Sequence, residues 1–432
     1  MKNICSTFLI LLVLFANGPA NCMTEKEILA SADERIEEYR KGDCVIKIST
    51  KDSQSLKGIS VVIEQTNHEF LFGCALLGWF FEPEHWQKKI SIDAVEKLEA
   101  VFNCVAYYHM GWNRLEPERG KREYEKVKEI ANFWKEKNII FKGHALVYHA
   151  FTPKWLKKKD DIELLLKNHV IETLKEYKGL IDFWDLVNES TVEWDDPIGN
   201  WEKEVGYRKV PMMALEWANE ANSEALLLLN DYRLVEDYEK QIEYLADNKV
   251  QGNIAVGLQS YMHDGNWPIE KVWNICERFG RFGFPLHFTE LAVVSGDEYS
   301  DGDAPDYNWG PTTPKGEKIQ AEYLEKLYTV LFSHPSVESV IWWGGIADEG
   351  GAPSGLLRRE FSPKPAYDKL YNLIKKKWWT EEVRGKTNDK GEFKFRGFYG
   401  TYRIMITYSK GKKIEKEFYL RKNLENVLEF SI

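Results

Sequence analysis

Two glutamates occupy positions where carboxylates could carry out acid–base chemistry. Glu189 ends the run Trp-Asp-Leu-Val-Asn-Glu (residues 184–189), and Glu290 ends the run Leu-His-Phe-Thr-Glu (residues 286–290). Each glutamate follows an apolar stretch that is typical of a buried strand. Cleavage of a glycosidic bond needs one carboxylic acid to protonate the leaving oxygen and one carboxylate to attack or direct water. Either glutamate alone is better interpreted as a solvated rim residue, but the pair favours catalysis.

Eight short apolar runs could hold these two side chains in one frame. They alternate with long amphipathic stretches, which predicts an α/β fold of the (β/α)8 TIM barrel type. The runs span residues 70–75, 103–107, 139–147, 182–188, 225–230, 254–259, 285–291 and 337–344. A doubly wound sheet is the competing interpretation, but the glycine-rich turn that normally follows its first strand is absent here. In a barrel, strands four and seven would bring Glu189 and Glu290 to one mouth.

The remaining segments predict a signal and a small β appendage. Residues 1–22 combine Lys2, an apolar run and a Pro-containing break, which is typical of a cleaved secretory signal. We therefore expect a secreted protein, extracellular or periplasmic. The pattern of residues 23–69 predicts a helix over 24–42 and then strands. Residues 70–377 are expected to form the catalytic barrel, and residues 378–432 a C-terminal β domain. We expect the strands of the two end segments to pack together.

Composition narrows the classes of partner. The net charge of −10 argues against nucleic acid, and no segment after the signal is long and apolar enough to span a membrane. The 16 Trp and 21 Tyr include flat faces on which sugar rings could stack. The 6 cysteines lack CxxC spacing, so we expect no zinc site, and both disulfides and buried free thiols stay open. We expect a monomer.

Eight ordered motifs resemble family 10 of the glycoside hydrolases, the β-1,4-xylanase family. Residues 184–189 are similar to its acid/base motif, and His-Phe-Thr-Glu-Leu (residues 287–291) is similar to its nucleophile motif. The other similar blocks lie at residues 70–73, 143–149, 229–232, 257–261, 342–344 with Asp348, and 362–367. The resemblance covers residues 60–375, and the tail resembles the extension of plant-type members.

This resemblance implies a retaining double displacement with Glu290 as nucleophile and Glu189 as acid/base. A retaining enzyme would hold the two carboxyl groups about 5–5.5 Å apart. The family's pattern also implies that no metal or organic cofactor takes part. It implies further substrate-binding residues, namely Asn188 at the sugar 2-hydroxyl, His144 and Gln259 beside the scissile bond, Trp343 as a stacking floor, and Tyr148 and Tyr261.

Other polar residues in these motifs have plainer interpretations. We expect His149 to be a satisfied core histidine, because alternation along a strand would point it away from His144. Asp185 and Asp231 are expected to make structural hydrogen bonds. Trp343 could also be a core residue, but its place at a strand end beside a glycine favours the site.

The sequence departs from the family at the positions expected to bind the glycone part of the substrate. The family has Glu-Asn-x-Met-Lys-Trp at the position where this chain has Tyr-Tyr-His-Met-Gly-Trp (residues 107–112). Two tyrosines and a glycine cannot reproduce the charge-assisted hydrogen bonds of the missing side chains. Tyr148 replaces a usual Trp, and Tyr261 replaces a usual His, although His263 is nearby. The substrate is therefore expected to be a β-glycan, either xylan, a decorated or shorter xylan, or another β-linked polymer.

Two alternatives to this enzyme stay open. A catalytically silent carbohydrate-binding protein could use the same barrel, although binding alone would not need both Glu189 and Glu290. A glycosidase of a sister barrel family would carry the same two acids at strands four and seven and would differ only in its substrate.

Overall fold

The computed structural model describes residues 23–262, 265–296, 309–348 and 352–432 of the 432-residue chain. The predicted signal, residues 1–22, lies outside this part, as do Cys5, Cys22 and His263. Among the described cysteines, Cys44, Cys74, Cys104 and Cys276 are buried free thiols. Within the same ranges, no helix combines the length and apolar character needed to cross a bilayer.

Fifteen strands form in the described part of the chain. In chain order they are β1 Lys41–Ser49, β2 Ser60–His68, β3 Leu71–Ala75, β4 Cys104–Tyr107, β5 Ile140–Val147, β6 Phe183–Asn188, β7 Leu226–Asp231, β8 Asn253–Leu258, β9 Leu286–Leu291, β10 Val337–Trp342, β11 Val383–Lys386, β12 Glu392–Phe398, β13 Gly400–Tyr408, β14 Lys412–Leu420 and β15 Asn426–Ser431. The eight strands from β3 to β10 correspond to the eight predicted apolar runs.

Those eight strands close into a parallel barrel in the order β10-β3-β4-β5-β6-β7-β8-β9. Their residues are almost all buried, as expected when both faces of a parallel strand are covered. The (β/α)8 prediction is therefore confirmed, and the doubly wound alternative is wrong because β10 pairs with β3 and leaves no open edge. Small and apolar strand residues fill the interior: Cys104, Ala106, Phe183, Leu228, Ala255 and Ile341.

Twelve α-helices occur in the described ranges. They are α1 Glu25–Ala30, α2 Ala32–Tyr39, α3 Lys89–Glu99, α4 Trp112–Leu115, α5 Glu125–Glu136, α6 Ile162–Tyr177, α7 Pro197–Val205, α8 Lys209–Asn222, α9 Glu236–Asp247, α10 Ile269–Gly280, α11 Pro314–Ser333 and α12 Pro365–Asn372. Side-chain caps satisfy free backbone N–H groups at the starts of α1, α6, α7 and α11. Asp161 accepts from the Leu164 N–H at the start of α6, and Thr313 accepts from the Gly316 N–H before Pro314.

The strands outside the barrel form two small sheets with their own core. One sheet has the order β12-β1-β15 and the other β11-β2-β13-β14, so the terminal strands do pack together as predicted. In the first sheet Cys44 lies opposite Phe395, and in the second Ile63 lies opposite Ile404. Inward-facing side chains of both sheets share one cluster that contains Ile46 and Tyr402.

The amino-terminal segment differs from the predicted single helix over residues 24–42. It forms the two short helices α1 and α2, and strand β1 already begins at Lys41. Arg40, between α2 and β1, is buried and donates hydrogen bonds to the carbonyl oxygens of Phe332, His334 and Val337. This guanidinium satisfies carbonyls at the end of α11 and the start of β10, so the segment is attached to the amino-terminal side of the barrel.

Candidate active site

The two glutamates lie at the carboxyl ends of two barrel strands. Glu189 directly follows β6, the fourth barrel strand, and Glu290 lies within β9, the seventh. The Glu189 N–H donates to the Asn230 carbonyl at 2.8 Å, and the Glu290 N–H donates to the Gln259 carbonyl at 3.1 Å. Glu290 is only 3% exposed, whereas Glu189 is half-buried. The barrel therefore brings both carboxylates to one mouth but gives them different surroundings.

The backbone at Glu189 has an unusual conformation that directs its side chain. Its φ of 55° lies in the left-handed region, which non-glycine residues adopt at a cost of roughly 1–3 kcal/mol. Ser260, directly after Gln259, has a φ of 59°. Such positions concentrate at functional sites, where neighbouring contacts over-determine the backbone. Both lie at the mouth of the barrel.

Three amide side chains connect the two carboxylates, and we call Asn188, Asn230 and Gln259 the amide floor. Asn230 Nδ2 donates to Asn188 Oδ1 at 2.8 Å and to Glu290 Oε1 at 2.9 Å. Gln259 Nε2 donates to Asn188 Oδ1 at 3.3 Å and to Glu189 Oε1 at 3.0 Å. A carboxylate can only accept, so Asn230 and Gln259 turn their nitrogens towards the glutamates, and Asn188 Oδ1 accepts from both amides. The floor therefore has one self-consistent arrangement.

The amide floor also carries polar atoms that have no partner among the described residues. Asn188 Nδ2 is a buried donor, and Gln259 Oε1 is a buried acceptor. Buried polar groups are nearly always hydrogen-bonded, so such atoms need an explanation. One donor and one acceptor beside two carboxylates match the hydroxyl groups of a ligand.

The second oxygen of Glu290 accepts a hydrogen bond from the Tyr261 hydroxyl. Burial raises the pKa of Glu290, while the His144 imidazole and the Tyr261 hydroxyl act to lower it. Burial, together with the Glu290 charge, raises the pKa of the Tyr261 phenol well above its usual value. Tyr261 therefore stays protonated and donates to Glu290.

His144 is held from below by a buried carboxylate. Asp185 Oδ2 accepts from His144 Nδ1 at 2.7 Å and pairs with the Lys142 ammonium group. Burial opposes ionisation of Asp185, but Lys142 and His144 hold its pKa below the usual value. Because the carboxylate fixes the proton on Nδ1, His144 Nε2 is left as the acceptor. Asp185 thus makes the structural hydrogen bonds that were predicted for it.

Five rings form one side of the site, and we call Tyr108, His144, Tyr148, Phe151 and Trp343 the aromatic wall. Tyr108 stacks on His144 with ring centroids 5.7 Å apart and an interplanar angle of 22°. Phe151 meets Tyr148 at 4.8 Å and Tyr108 at 5.4 Å, and Trp343 lies 5.5 Å from His144. The wall gathers three of the predicted substrate-binding residues, His144, Tyr148 and Trp343.

The Tyr148 hydroxyl belongs to the electrostatic surroundings of Glu189. Burial raises the pKa of this phenol, and the charge of Glu189 raises it further. Burial likewise raises the pKa of Tyr108, with smaller contributions from Glu290 and Glu189. Both phenols therefore stay neutral donors beside the two glutamates.

The segment that departs from the family pattern is built into this wall. The Tyr107 hydroxyl donates to Glu82 Oε1 at 3.1 Å, while Tyr108 joins the ring stack. A Cβ added to Gly111 would lie 2.4 Å from Phe151 Cγ. Gly111 has an ordinary φ, so space and not backbone conformation requires glycine at this position. Phe151 occupies the volume that a side chain at residue 111 would need.

His149 corrects one prediction. It lies in the 3₁₀ turn His149–Phe151, beyond the end of β5 at Val147, so strand alternation does not determine its direction. His149 is buried, yet both ring nitrogens lack a hydrogen-bond partner among the described residues. Its Nδ1 lies 3.9 Å from Glu202 Oε2, and burial lowers the pKa of His149 to about 4. The prediction of a satisfied core histidine is therefore wrong in its hydrogen bonds.

Sequence reasoning missed two contributors to the site. No role was assigned to Asn230 from the sequence, but it donates to Glu290 and accepts from the Thr289 hydroxyl at 2.5 Å. Its position at the end of the fifth strand could have identified it. Phe151 had no such signal, because only its contact with Gly111 reveals its role. Asp231, as predicted, accepts structural hydrogen bonds from Thr191 and Arg233.

The described residues hold no group of three or more His, Cys, Asp or Glu side chains arranged to bind a metal ion. The chemistry available at the mouth is that of two carboxylates, an amide network, phenols and one imidazole. Such a set can move a proton and form a covalent ester with a carbon electrophile.

Comparison with known proteins gives a consistent family assignment. The family model described as glycosyl hydrolase family 10 matches residues 63–373, which include all eight barrel strands. The solved xylanase 10B from Thermotoga petrophila, in complex with xylobiose, has a TM-score of 0.57 at 23% identity. The alignment covers 72% of this chain and 95% of that one, and it supports the barrel fold.

Two curated relatives match over most of this chain but over less than half of their own length. Endo-1,4-beta-xylanase 1 from Arabidopsis thaliana is 25% identical over 88% of this chain and 38% of its own sequence. The anti-sigma-I factor RsgI6 from Acetivibrio thermocellus is 26% identical over 88% of this chain and 47% of its own sequence. The relatives thus include proteins named for different activities.

Proposed function

The chain belongs to glycosyl hydrolase family 10, and on that premise we propose that it is a retaining β-1,4-glycanase of the endo-xylanase type. Its proposed substrate is xylan or a related β-glycan. The observation that carries the proposal is the pair of carboxylates, Glu189 and Glu290, linked through the amide floor at one mouth of the barrel. Related proteins named as endo-1,4-β-xylanases support this substrate class.

In the first step Glu290 is the nucleophile. Its carboxylate oxygen attacks the anomeric carbon, and the bond from that carbon to the leaving oxygen breaks. The electron pair stays on the leaving oxygen, which takes the proton from Glu189. Glu290 is suited to this role because Asn230 and Tyr261 each donate to one of its oxygens and hold the carboxylate in a fixed orientation.

In the second step the roles of Glu189 reverse. Glu189, now a carboxylate, takes a proton from water while the water oxygen attacks the anomeric carbon. The ester bond to Glu290 breaks, the sugar is released with its original anomeric configuration, and both glutamates return to their starting states. Glu189 is the half-buried member of the pair, which suits a group that must meet solvent.

The amide floor and the aromatic wall would hold the sugar between them. The unpartnered Asn188 Nδ2 can donate to the 2-hydroxyl of the sugar, where hydrogen bonds strengthen in the transition state. Gln259 Oε1 and His144 Nε2 can accept from other hydroxyls. Trp343, half-buried at the end of β10, can stack on the sugar ring.

The divergent segment, residues 107–112, bears on which β-glycan is the substrate. No lysine, glutamate or asparagine stands at residues 107, 108 and 111, and aromatic surface takes their place. Polar contacts discriminate strongly between sugars. Their loss therefore favours a substrate that differs from plain xylan in its glycone part. Export from the cell and a monomeric state stay predictions.

Two measurements test the proposed mechanism. Products released from β-1,4-xylan and β-1,4-glucan are measured as new reducing ends, and proton NMR records the anomeric form of the first product. We expect the β-anomer first, as retention requires. Appearance of the α-anomer first would mean inversion, and carboxyl groups roughly 9 Å apart would agree with it. Binding of these glycans without any turnover would instead favour the silent carbohydrate-binding protein.

A further inference from the structure

An exposed tryptophan lies outside the groups that the proposed mechanism uses. Trp194 belongs to the loop after β6, five positions beyond Glu189. Its side chain is 49% exposed, a large fraction for a residue of this size. One face of the indole lies on the His149 ring, with centroids 4.8 Å apart and an interplanar angle of 25°. No second ring or cation among the described residues covers the other face.

The support beneath this indole is rigid. His149 is 1% exposed, and its ring also contacts Tyr148 of the aromatic wall at 4.9 Å. Asp196, two residues after Trp194, caps helix α7 and accepts from the Thr152 hydroxyl at 3.0 Å. The loop is therefore fastened on the carboxyl-terminal side of the tryptophan, and the stacked His149 ring sets the direction of its outer face.

A short path of ring contacts connects this face with the reaction centre. Tyr148 faces Glu189, His149 contacts Tyr148, and Trp194 stacks on His149. Trp194 is thus two ring contacts from the residue beside the acid/base. A polymeric substrate that passes Glu189 would reach it with a further sugar unit, and flat indole faces suit the C–H face of a pyranose ring.

We propose that Trp194, stacked on His149, is a sugar-binding platform for a unit of the glycan beyond the two that flank the cleaved bond. The platform makes longer chains better substrates than short ones. This inference deepens the proposed function and depends on it for the identity of the ligand as a β-glycan.

The test compares chain lengths in Trp194→Ala, Trp194→Phe and the wild type. The substrates are β-1,4-xylo-oligosaccharides and β-1,4-gluco-oligosaccharides of two to six units, and kcat/KM is measured for each. We expect Trp194→Ala to lower kcat/KM by about 3- to 10-fold for six units, with a loss that shrinks as the chain shortens. Trp194→Phe should restore part of the preference, because a smaller ring keeps the stacking surface.

Tyr419→Ala is the matched control, since Tyr419 is 42% exposed but lies on strand β14 of the appendage. It should leave the length dependence as in the wild type. A Trp194→Ala variant that loses activity equally at every length, or loses none, would overturn the platform. Thermal unfolding of each variant shows whether the fold is intact.

Calorimetric titration separates this inference from the proposed function. If the wild type cleaves neither series, the enzymatic proposal fails, and binding of the six-unit oligosaccharides then decides the platform by itself. Weaker binding by Trp194→Ala than by Tyr419→Ala would support it. Equal affinities, or absence of binding by the wild type, would overturn it.

Discussion

The amide floor and the aromatic wall, on two sides of the barrel mouth, are held together by different interactions. In the floor, Asn188, Asn230 and Gln259 are buried, and every hydrogen bond has a direction that the carboxylates impose. In the wall, rings meet at centroid distances of 4.8–6.2 Å, and the contacts depend on shape and volume. The floor therefore tolerates little change, whereas the wall can change wherever one residue compensates for another.

The pair formed by Gly111 and Phe151 illustrates such compensation. Loss of a side chain at residue 111 makes room for the Phe151 ring, so the packing is preserved although the polar character is gone. No comparable exchange is available in the floor, because removing one amide would leave a buried carboxylate without its donor. The difference teaches that the proposed catalytic pair and the surface proposed to select the sugar can diverge independently.

The largest effect should come from removing the buried carboxylate that the amide floor holds. Glu290→Ala is expected to lower kcat by at least about 10⁴-fold, because a group that forms the covalent intermediate is lost. Hydrolysis of a β-1,4-glycan measures it. Glu338→Ala is the control, since Glu338 is exposed at the opposite end of barrel strand β10 and should behave as the wild type. Equal activity of the two variants would contradict the nucleophile assignment.

Changes in the wall should alter the free energy of unfolding, and the effects of substitutions at Phe151 and Gly111 should depend on each other. Phe151→Ala is expected to lower the free energy of unfolding by about 3–5 kcal/mol through lost packing. Gly111→Ala should cost about 1–3 kcal/mol from the clash with Phe151. In the double variant the cost of the alanine at residue 111 should fall by at least about 1 kcal/mol. Urea denaturation measures this cycle, and strictly additive costs would refute the coupling.

Removing the hydroxyl that donates to Glu290 beside the amide floor should have a smaller effect, seen in the pH dependence of activity. The Tyr261 hydroxyl acts to lower the pKa of Glu290, which burial raises. Tyr261→Phe removes that donor, so ionisation of the nucleophile should need a higher pH and the acid limb of kcat/KM should move upwards. The rate itself should fall about 10- to 100-fold.

Tyr367→Phe is the control for this experiment, because the Tyr367 hydroxyl donates to the Lys97 carbonyl on the outer helices. Its pH profile should match that of the wild type. An acid limb that stays unchanged in Tyr261→Phe would show that Tyr261 does not set the ionisation of Glu290.

The last prediction concerns Glu202, the buried carboxyl beside His149, whose effect on stability is small at pH 5 and grows with pH. Burial raises its pKa from 4.5 to about 8, helped by Asp196 and Asp231. A raised pKa means that its contribution to stability is complete below pH 4.5 and is lost as the pH rises through 8. The slope from this group is at most about 1.4 kcal/mol per pH unit.

Glu202→Gln cannot ionise, so its stability relative to the wild type should grow between pH 5 and pH 8. Urea denaturation at three pH values in that range measures the difference. Glu193→Gln, an exposed change in the neighbouring loop, should show no such growth. A constant difference for Glu202→Gln would mean that this carboxyl already ionises at pH 5.

Several elements were accessible from local sequence patterns. Each barrel strand was predicted from a short apolar run in the sequence, and the order of the motifs predicted which runs carry Glu189 and Glu290. The pairing of the terminal strands was predicted from their alternation. The contacts of His149 were not, because strand β5 ends at Val147 and the following turn redirects the ring under Trp194. The hydrogen bonds of Asn230 were not predicted, because its partners Asn188 and Glu290 lie 42 and 60 positions away.

The sequence by itself determined the closed (β/α)8 barrel and the placement of two glutamates at the ends of its fourth and seventh strands. Periodicity is a local property of the chain, so it survives without any knowledge of contacts. Only the tertiary structure decided how Asn230 and Gln259 connect those glutamates and how Phe151 fills the space above Gly111. These depend on side chains that are distant in sequence and meet only when the barrel closes, and close packing then determines which of them fit.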